Sequence, residues 1–387
     1  MNPLARLRRL ARAAGLPVVL RDPAIIAEAL RHPDLRDRAE LERALSSFFF
    51  QPFVHQEVVE GDRFARRAAF SRAALALDPD LVRQTARLEV PPGGRPTLGP
   101  TASLLDELRR HVTAVTVRLT FGDDAPFAVV HAAALDLDRG IKLSALPRRG
   151  PRLALWRLLA ERLADPERWP EGTTLAAGRD EAAGLDLDER IHHVGAVLLG
   201  TGIIQITDSL THALVALSQQ PEARVHDDEA VLRETLRRYP VNSSITRRAR
   251  APVALGDQAL AAGDSLAVVP EEVNRHGWPE PDRFDPGRFS AKSPAGYSFA
   301  FGAGPRACPA QRFSLTLLGE LLATYRRLGV EVPRRHPHHR SLAVPIPAMI
   351  GGGACAAQPL HERLQHRARY LACAAATYPL AALHRHP

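Results

Sequence analysis

The sequence predicts a mainly helical α+β domain, and three observations support this class. Up to about residue 240, apolar residues recur at three- and four-residue spacing, which is typical of amphipathic helices. After Pro240 the chain changes to short β-prone pieces separated by glycine and proline. No internal repeat or convincing linker interrupts the 387 residues, so we expect one domain.

Four stretches carry the clearest helical pattern: 22–35, 63–77, 101–122 and 185–221. The last is the longest; it opens with aspartates that complement the helix dipole and ends before a proline. Its most apolar part, Val194–Ile206, has 13 residues. A membrane-spanning helix needs about 20, so we interpret this part as a buried helix.

The strands are expected in "SSITRRARAPVAL" and "DSLAVVP", which follow Pro240. The next segment, "NRHGWPEPDRFDPGRF" (Asn274–Phe289), is too rich in proline for regular structure. A glycine-rich loop with one cysteine comes next, and "PAQRFSLTLLGELLATYRRLG" then resumes the helical pattern.

Composition excludes several classes of protein. The hydrophobic content of 45% and charged content of 24% are those of a soluble globular protein, and three cysteines favour a reducing cytoplasm over a disulfide scaffold. The net charge of +8 comes almost entirely from scattered arginines, since Lys142 and Lys292 are the only lysines. No nucleic-acid motif, basic arm, signal peptide or membrane anchor is recognisable. We therefore expect neither nucleic acid nor membrane as a partner.

The segment "FAFGAGPRACPAQRF" (Phe299–Phe313) carries the strongest chemical signal. Gly302 and Gly304 would let the backbone approach a flat ligand closely. Cys308 is expected at the start of a helix, where free N–H groups and the dipole favour a thiolate. Without a CxxC partner a structural zinc site is not indicated. A lone thiolate suits the axial position of haem iron; a buried structural cysteine is the alternative.

This loop resembles the haem-binding loop of the cytochromes P450, soluble bacterial type. Phe301, Gly304, Arg306 and Cys308 match the family pattern, and Ala310 stands where glycine is usual. The resemblance implies the family fold, a helix-rich domain with small β-sheets around a buried haem b. It also implies that Cys308 binds the iron and that the loop, Gly302 included, contacts the cofactor.

Two further motifs follow the family order. "ETLR" resembles its Glu-x-x-Arg, with Glu234 and Arg237 on one helix face. In the family this pair locks to an arginine of the later meander; Arg288 matches best and Arg283 is the alternative. Without the resemblance, the pair would read as an ordinary surface ion pair. The meander "NRHGWPEPDRFDPGRF" has His276 where the family has aspartate.

Four arginines are candidates for the haem propionates, since the planar guanidinium suits carboxylates. By similarity, Arg306 lies in the cysteine loop and Arg247 on a strand after the Glu-x-x-Arg motif. On the early helix, "EGDRFARRAAF" resembles the family's His-x-x-x-Arg, with Arg63 replacing histidine and Arg67 retained. The alternative for each is a solvated surface arginine.

The distal helix departs from the family pattern, which usually places an acid and a threonine after two small residues. Anchoring the register at Pro221 puts Thr201 and Gly202 at the small pair, Ile204 at the acid position and Gln205 at the threonine position. We prefer this register, and we take Thr201, Gly202 and Gln205 as the candidate catalytic residues.

An alternative register lies one helical turn further on. It offers Asp208 and Ser209 as acid and alcohol, but places Gln205 and Ile206 at the small positions. In the preferred register the ordinary proton relay is missing, because isoleucine cannot carry a proton and a glutamine amide hardly titrates.

Three functions follow from these motifs. The first is monooxygenation of a small, largely apolar substrate that completes the relay with its own polar group, in secondary metabolism. The second is peroxide-dependent, coupling or desaturating chemistry, and the third a non-catalytic haem-bearing recruitment role. Pocket segments by resemblance are 46–56, 200–206, 240–246 and 345–352. The resemblance also implies a ferredoxin and its reductase as electron donors, in the cytoplasm.

The resemblance further sets the expected domain boundaries. Residues 18–350 form the family domain, and 1–17 are a shortened N-terminal segment in which the usual helix and first strands are reduced or absent. Residues 351–387 form a C-terminal extension, either a helix or a disordered tail.

Overall fold

The computed structural model describes residues 17–88, 102–141, 148–242, 244–256, 258–290, 296 and 298–329. In this part of the chain helices dominate and two small β-sheets accompany them, which confirms the predicted class. The helices are α1 Pro23–Arg31, α2 Glu40–Phe50, α3 Gly61–Ala74, α4 Pro79–Leu88, α5 Ala102–Phe121, α6 Phe127–Ile141, α7 Arg149–Arg162, α8 Thr174–Ala177, α9 Arg179–Ala182, α10 Leu187–Gln219, α11 Asp228–Arg238, α12 Pro270–Val273 and α13 Gln311–Arg327. The strands are β1 Val18–Leu20, β2 Ile245–Arg248, β3 Val253–Leu255, β4 Gln258–Leu260 and β5 Ser265–Val268.

Helix α10 is the long central helix that the sequence predicted. It begins after Asp186, whose carboxylate accepts a hydrogen bond of 2.8 Å from the Glu189 N–H and so caps the first turn. The residues Val194–Thr201 form π-helical turns, and regular α-helix resumes at Gly202. Among the described residues α10 alone has the length and apolar character of a membrane span, yet most of that stretch is buried inside the protein.

The π-helical turns bring a loop segment against α10. A side chain at Gly195 would overlap the ring of Phe53, so the missing Cβ makes room for that phenylalanine. The Thr201 hydroxyl donates a 3.0 Å hydrogen bond to the Ala196 carbonyl, five residues earlier. π-helical turns often occur at functional sites. Here they place the stretch 53–58 directly beside the distal helix.

The main core lies where α10 packs between α5 and α13. Its fully buried members include Leu108 and Val112 of α5, Leu210 of α10, and Leu317 and Leu321 of α13. Burial of each leucine contributes roughly 1.5–3 kcal/mol relative to exposure. Phe48, Phe49, Phe50 and Phe53 belong to the same core.

A second apolar cluster joins the three-stranded sheet to the cysteine loop. The strand order is β1-β5-β2, with β1 parallel and β2 antiparallel to β5. The cluster contains Leu20, Leu30, Leu266 and Phe299. The three-residue strand β1 lies at the start of the expected family domain, 18–350. The predicted extension 351–387 and the pocket segment 345–352 lie outside the described residues.

Candidate haem-thiolate site

The cysteine loop is held by three backbone hydrogen bonds. The Gly302 N–H donates to the Phe299 carbonyl at 3.0 Å, the Ala307 N–H to Gly304 at 3.0 Å, and the Cys308 N–H to Phe301 at 2.8 Å. The last bond closes the loop directly on the cysteine. Cys308 is a free, partly buried thiol. The hydrogen bond from its own N–H fixes the backbone that carries the sulfur.

The two loop glycines have different roles. Both have positive φ, +68° at Gly302 and +71° at Gly304, which other residues adopt at a cost. A Cβ at Gly304 would overlap the carbonyl group of Leu30, whereas a Cβ at Gly302 would meet nothing closer than 3.9 Å. We expected both glycines to make room for a ligand; Gly304 instead lets the loop rest on the backbone of α1.

The predicted position of Cys308 at the start of a helix is wrong by three residues. Helix α13 begins at Gln311, after a turn at Pro309 and Ala310. The pKa of the Cys308 thiol is raised, mainly by burial and also by the negative charge of Glu57. The hydrogen bond from the Ala310 N–H opposes this rise in pKa. The protein groups around the sulfur therefore favour the thiol, and a bound cation would be needed to hold a thiolate.

The Glu-x-x-Arg pair is completely buried on α11. Arg237 donates to both oxygens of the Glu234 carboxylate, at 2.6 and 2.8 Å, and neither side chain is exposed. Arg288 approaches the same carboxylate at 3.6 Å, while the Arg283 side chain is exposed and pairs with Glu280. This confirms Arg288 over Arg283 and excludes the surface ion pair.

Asn274 connects this buried pair to the cysteine loop. Its carbonyl accepts from Arg237 Nη1 at 3.1 Å, and its side-chain amide donates to the Arg237 carbonyl at 3.3 Å. Its Oδ1 accepts a 2.7 Å hydrogen bond from the Phe299 N–H. Since Phe299 begins the loop, the ion pair fixes the base of the segment that carries Cys308.

Two of the predicted propionate arginines surround a carboxylate that the sequence analysis missed. Glu57 lies in the short 3₁₀ turn Gln56–Val58 and is paired with Arg38. Burial alone would raise the pKa of Glu57, but the charges of Arg38, Arg306 and Arg247 hold it at about 2. The Glu57 charge also raises the pKa of Cys308, and Arg306 donates to the carbonyl of Val59, two residues after Glu57.

Arg63 and Arg67 meet a different carboxylate. Both guanidinium groups pair with Glu189 in the first turn of α10, and Arg67 also donates to the Val54 carbonyl at 2.6 Å. Arg67 is fully buried, whereas the Arg63 side chain is 40% exposed. Their binding of a propionate stays a prediction, and the structure favours Arg67 over Arg63 as an internal anion partner.

The unpaired donors of this site fit an anionic cofactor. Arg306 packs over the Phe64 ring at 3.9 Å and donates Nη2 to the Val59 carbonyl at 2.9 Å. Its Nε and Nη1 are buried and have no hydrogen-bond partner among the described residues, and the same holds for Arg67 Nη2. Buried donors are almost always paired, so these N–H groups lack the acceptors that haem carboxylates would supply.

Replacing Arg306 with glutamine should weaken haem binding by about 10- to 100-fold, because hydrogen bonds to charged groups contribute roughly 1.5–3 kcal/mol. The measurement is a spectroscopic titration of the haem-free protein with haem. Arg312→Gln is the matched control, since Arg312 is an exposed arginine in the following helix. Equal dissociation constants for wild type and Arg306→Gln would show that Arg306 does not bind the cofactor.

The distal helix is open, that is, partly accessible, along a single stripe. From Val194 to Ser218 only Val197, Thr201, Gly202 and Gln205 are not fully buried. Their spacing of four, five and eight residues places them on one helix face. This stripe contains Thr201, Gly202 and Gln205, the candidate catalytic residues of the preferred register.

The alternative register lies inside the core. Asp208 and Ser209 are 1% and 3% exposed, and the Ser209 hydroxyl donates to the Gln205 carbonyl of its own helix at 2.8 Å. The Gln205 side chain, in contrast, forms a hydrogen bond outside its own helix, from its Nε2 to Asn242 Oδ1 at 3.1 Å. The burial pattern therefore favours the register with Ile204 and Gln205, although their catalytic roles stay predictions.

His55 is the residue on this face that the sequence analysis missed. Its Nε2 lies 2.9 Å from the Thr201 hydroxyl, and its ring lies against Phe50 with centroids 4.5 Å apart. Burial lowers the pKa of His55 to about 4, against a smaller opposing effect of Glu57. The signal was available: His55 is the only titratable side chain within the aromatic run "SSFFFQPFVHQ".

Comparisons with known proteins agree with this site. The family model "Cytochrome P450" matches residues 228–339, the stretch that contains the buried ion pair, the meander and the cysteine loop. A probable cytochrome P450 4aa1 of Drosophila melanogaster is 35% identical over 112 residues, which cover 26% of this chain and 22% of that protein. The chain thus matches about a fifth of the length of this curated relative.

Solved structures share the fold over most of the chain. A six-coordinated cytochrome P450 from Thermus thermophilus has a TM-score of 0.58 at 24% identity, covering 84% of this chain and 90% of that one. A cytochrome P450-like monooxygenase described as involved in microbial secondary metabolism has a TM-score of 0.58 at 15% identity, covering 80% and 84%. Residues 228–339 thus match the cytochrome P450 family model, and the chain shares the cytochrome P450 fold over most of its length.

Proposed function

We propose that this protein is a haem-thiolate monooxygenase that oxidises a small, largely apolar organic substrate. The observation that carries the proposal is Cys308, a free thiol at the end of a loop fixed by three backbone hydrogen bonds. Next to it in sequence, Arg306 presents two buried N–H groups for which the described part of the chain supplies no acceptor. A soft sulfur ligand beside unsatisfied cationic donors suits an iron porphyrin with two carboxylates.

The cofactor in this proposal is haem b. Cys308 would bind the iron, while Phe301, Gly302 and Gly304 shape the loop beneath the ring. Arg306, Arg247 and Arg67 would hold the propionates, with Arg63 at the more exposed edge. When bound, the haem would supply the oxygen chemistry; the protein supplies the sulfur, the positive charge and a site enclosed by the apolar core.

On the distal side, Thr201 and Gly202 occupy the small-residue pair and Gln205 the usual threonine position. Ile204 is 3% exposed and apolar, so this register has no acid to carry a proton. A polar group of the substrate would complete the relay. The first alternative is the use of peroxide, or coupling or desaturation, which the absence of an acid at the Ile204 position favours. The second alternative is a non-catalytic haem-bearing role, and the presence of Cys308 argues against it.

We further propose a ferredoxin and its reductase as electron donors and a cytoplasmic location, with the catalytic domain at residues 18–350. Arg312 is exposed in the first turn of α13, close after Cys308 in sequence, and offers positive charge for an acidic partner. The likeness to a monooxygenase described as acting in microbial secondary metabolism supports that setting for the substrate.

Replacing Cys308 with alanine tests the proposal. Wild-type protein supplied with haem should show, after reduction under carbon monoxide, the red-shifted Soret band that a thiolate ligand produces, and Cys308→Ala should lose it completely. Cys355→Ala and Cys373→Ala are matched controls and should retain the band. An unchanged spectrum in Cys308→Ala, or wild-type protein that binds no haem, would contradict the proposal.

A second experiment separates the three functions. Turnover of a ligand library is measured with a ferredoxin and reductase in one arm and with hydrogen peroxide in the other. Product in the first arm supports the monooxygenase, and product confined to the second supports the peroxide-dependent alternative. Failure of both arms, together with a stable protein complex, would support the non-catalytic role.

A further inference from the structure

His55 and Thr201 form a hydrogen-bonded pair whose direction the structure fixes. The Glu57 backbone N–H donates to His55 Nδ1 at 3.2 Å, and a backbone N–H can only donate. Nδ1 is therefore the unprotonated nitrogen, and the neutral ring carries its proton on Nε2. This Nε2–H must donate to the Thr201 oxygen, 2.9 Å away.

Thr201 is thereby left with one hydrogen-bonding position. Its hydroxyl proton goes to the Ala196 carbonyl, which the π-helical turns place within 3.0 Å. One lone pair of its oxygen accepts from His55, and among the described residues no other group contacts the second lone pair. Because Thr201 belongs to the open stripe of α10, this lone pair is available as an acceptor.

The charges around His55 keep this arrangement neutral. Arg38, Arg67 and Glu57 all act electrostatically on His55, and the buried His193 is a further neighbour. Burial, aided by the two arginines, lowers the pKa of His55 to about 4, and the Glu57 carboxylate opposes this only in part. Near neutral pH the ring therefore stays uncharged, with its proton on Nε2.

We infer that His55 is a positioning residue that, together with the Ala196 carbonyl, holds the Thr201 hydroxyl oxygen as a hydrogen-bond acceptor toward the site, so that the open face of α10 binds an O–H donor. The donor is either a hydroxyl group of the substrate or an ordered water. One turn further along the stripe, the Gln205 amide is hydrogen-bonded to Asn242 and offers the bound molecule a second polar contact. The identity of the ligand rests on the proposed function. The direction of the hydrogen bonds rests only on the contacts of His55 and Thr201.

The tautomer is tested by NMR on protein with ¹⁵N-labelled histidine. We expect His55, identified by the loss of its signals in His55→Phe, to be the neutral Nε2–H tautomer. Thr201→Val should shift the Nε2 resonance without changing the tautomer, and Thr201→Ser should leave it in place. A His55 protonated on Nδ1 would overturn the inference. This measurement needs no haem, so it stands apart from the Cys308→Ala test.

The acceptor is tested by matched ligands with and without an O–H, such as cyclohexanol and its methyl ether. Dissociation constants come from ligand-induced Soret shifts of haem-loaded protein. We expect the alcohol to bind about 3- to 10-fold tighter than the ether in wild type and Thr201→Ser, the range of one neutral hydrogen bond. In Thr201→Val and His55→Phe this ratio should fall to about one.

The two donors give different results. A substrate hydroxyl produces the alcohol preference described above. An ordered water produces no preference, but the infrared band of bound carbon monoxide then shifts between wild type and Thr201→Val, and the wild-type band responds to D₂O. If neither the preference nor the infrared shift is found while haem and the thiolate band are intact, Thr201 is not an acceptor toward the site and the inference fails.

Discussion

Replacing Arg237 with leucine is expected to lower the free energy of unfolding by about 3–5 kcal/mol, the range for removing one partner of a buried ion pair. The substitution would leave the Glu234 carboxylate, which has no exposed surface, without its bidentate donor. That carboxylate would keep only the 2.8 Å hydrogen bond from the Asp285 N–H and the more distant Arg288. The Asn274 carbonyl would also lose a donor.

The same helix offers a matched control. Arg233 and Glu229 form an ion pair four residues apart, with side chains 43% and 66% exposed. Exposed pairs of this kind contribute only about 0.3–0.5 kcal/mol, so Arg233→Leu should change stability little. Chemical denaturation of the three proteins measures the difference. Similar losses in both variants would mean that the buried pair does not hold the meander and loop in place.

The long central helix was predictable because its signals are local. Aspartates at the start, apolar residues at helical spacing and Pro221 just after the end all lie within the segment itself. The pairing of Arg288 with the Glu-x-x-Arg motif was predicted by resemblance, and the structure confirms it. The local pattern did not reveal the π-helical turns Val194–Thr201. These turns pack at Gly195 against Phe53, which comes from another part of the chain.

Residues far apart in sequence account for what was missed in the site. His55 and Thr201 are 146 positions apart, and Arg67 and Glu189 are 122 apart. The sequence indicated which arginines could meet carboxylates but not that Glu57 and Glu189 already lie among them. It also placed Cys308 at the start of a helix, whereas α13 begins three residues later at Gln311.

The acidic residues within the arginine groups have a consequence for cofactor uptake. Glu57 interacts with the charges of Arg38, Arg306 and Arg247, yet two buried donors of Arg306 have no acceptor within the described ranges. The Glu57 carboxylate holds the guanidinium groups close together before haem binds. Its single charge leaves part of their hydrogen-bonding capacity unused. The positive groups are thus assembled by the fold, and the loop geometry then decides whether the sulfur meets the iron.

That geometry makes Gly304→Ala the second large effect that we expect. An alanine there would adopt φ near +71°, at a cost of about 1–2 kcal/mol. Its Cβ would also overlap the Leu30 carbonyl, and relief of such overpacking costs a further ~1–3 kcal/mol. Since backbone atoms cannot turn aside as a flexible side chain would, the loop must lift from α1. Cys308 would move with it, so haem retention should fall together with stability.

Gly302→Ala separates the two causes of this effect. Gly302 has nearly the same φ, +68°, but its Cβ would meet only Ala307 and Arg306 backbone atoms at an ordinary 3.9 Å. It should therefore show the conformational cost alone, about 1–2 kcal/mol, and keep the carbon monoxide band. Thermal unfolding and haem content of the two variants give the comparison. If Gly302→Ala and Gly304→Ala lose the same stability and the same haem, contact with Leu30 does not set the position of the loop, and the strain of the left-handed backbone is the whole effect.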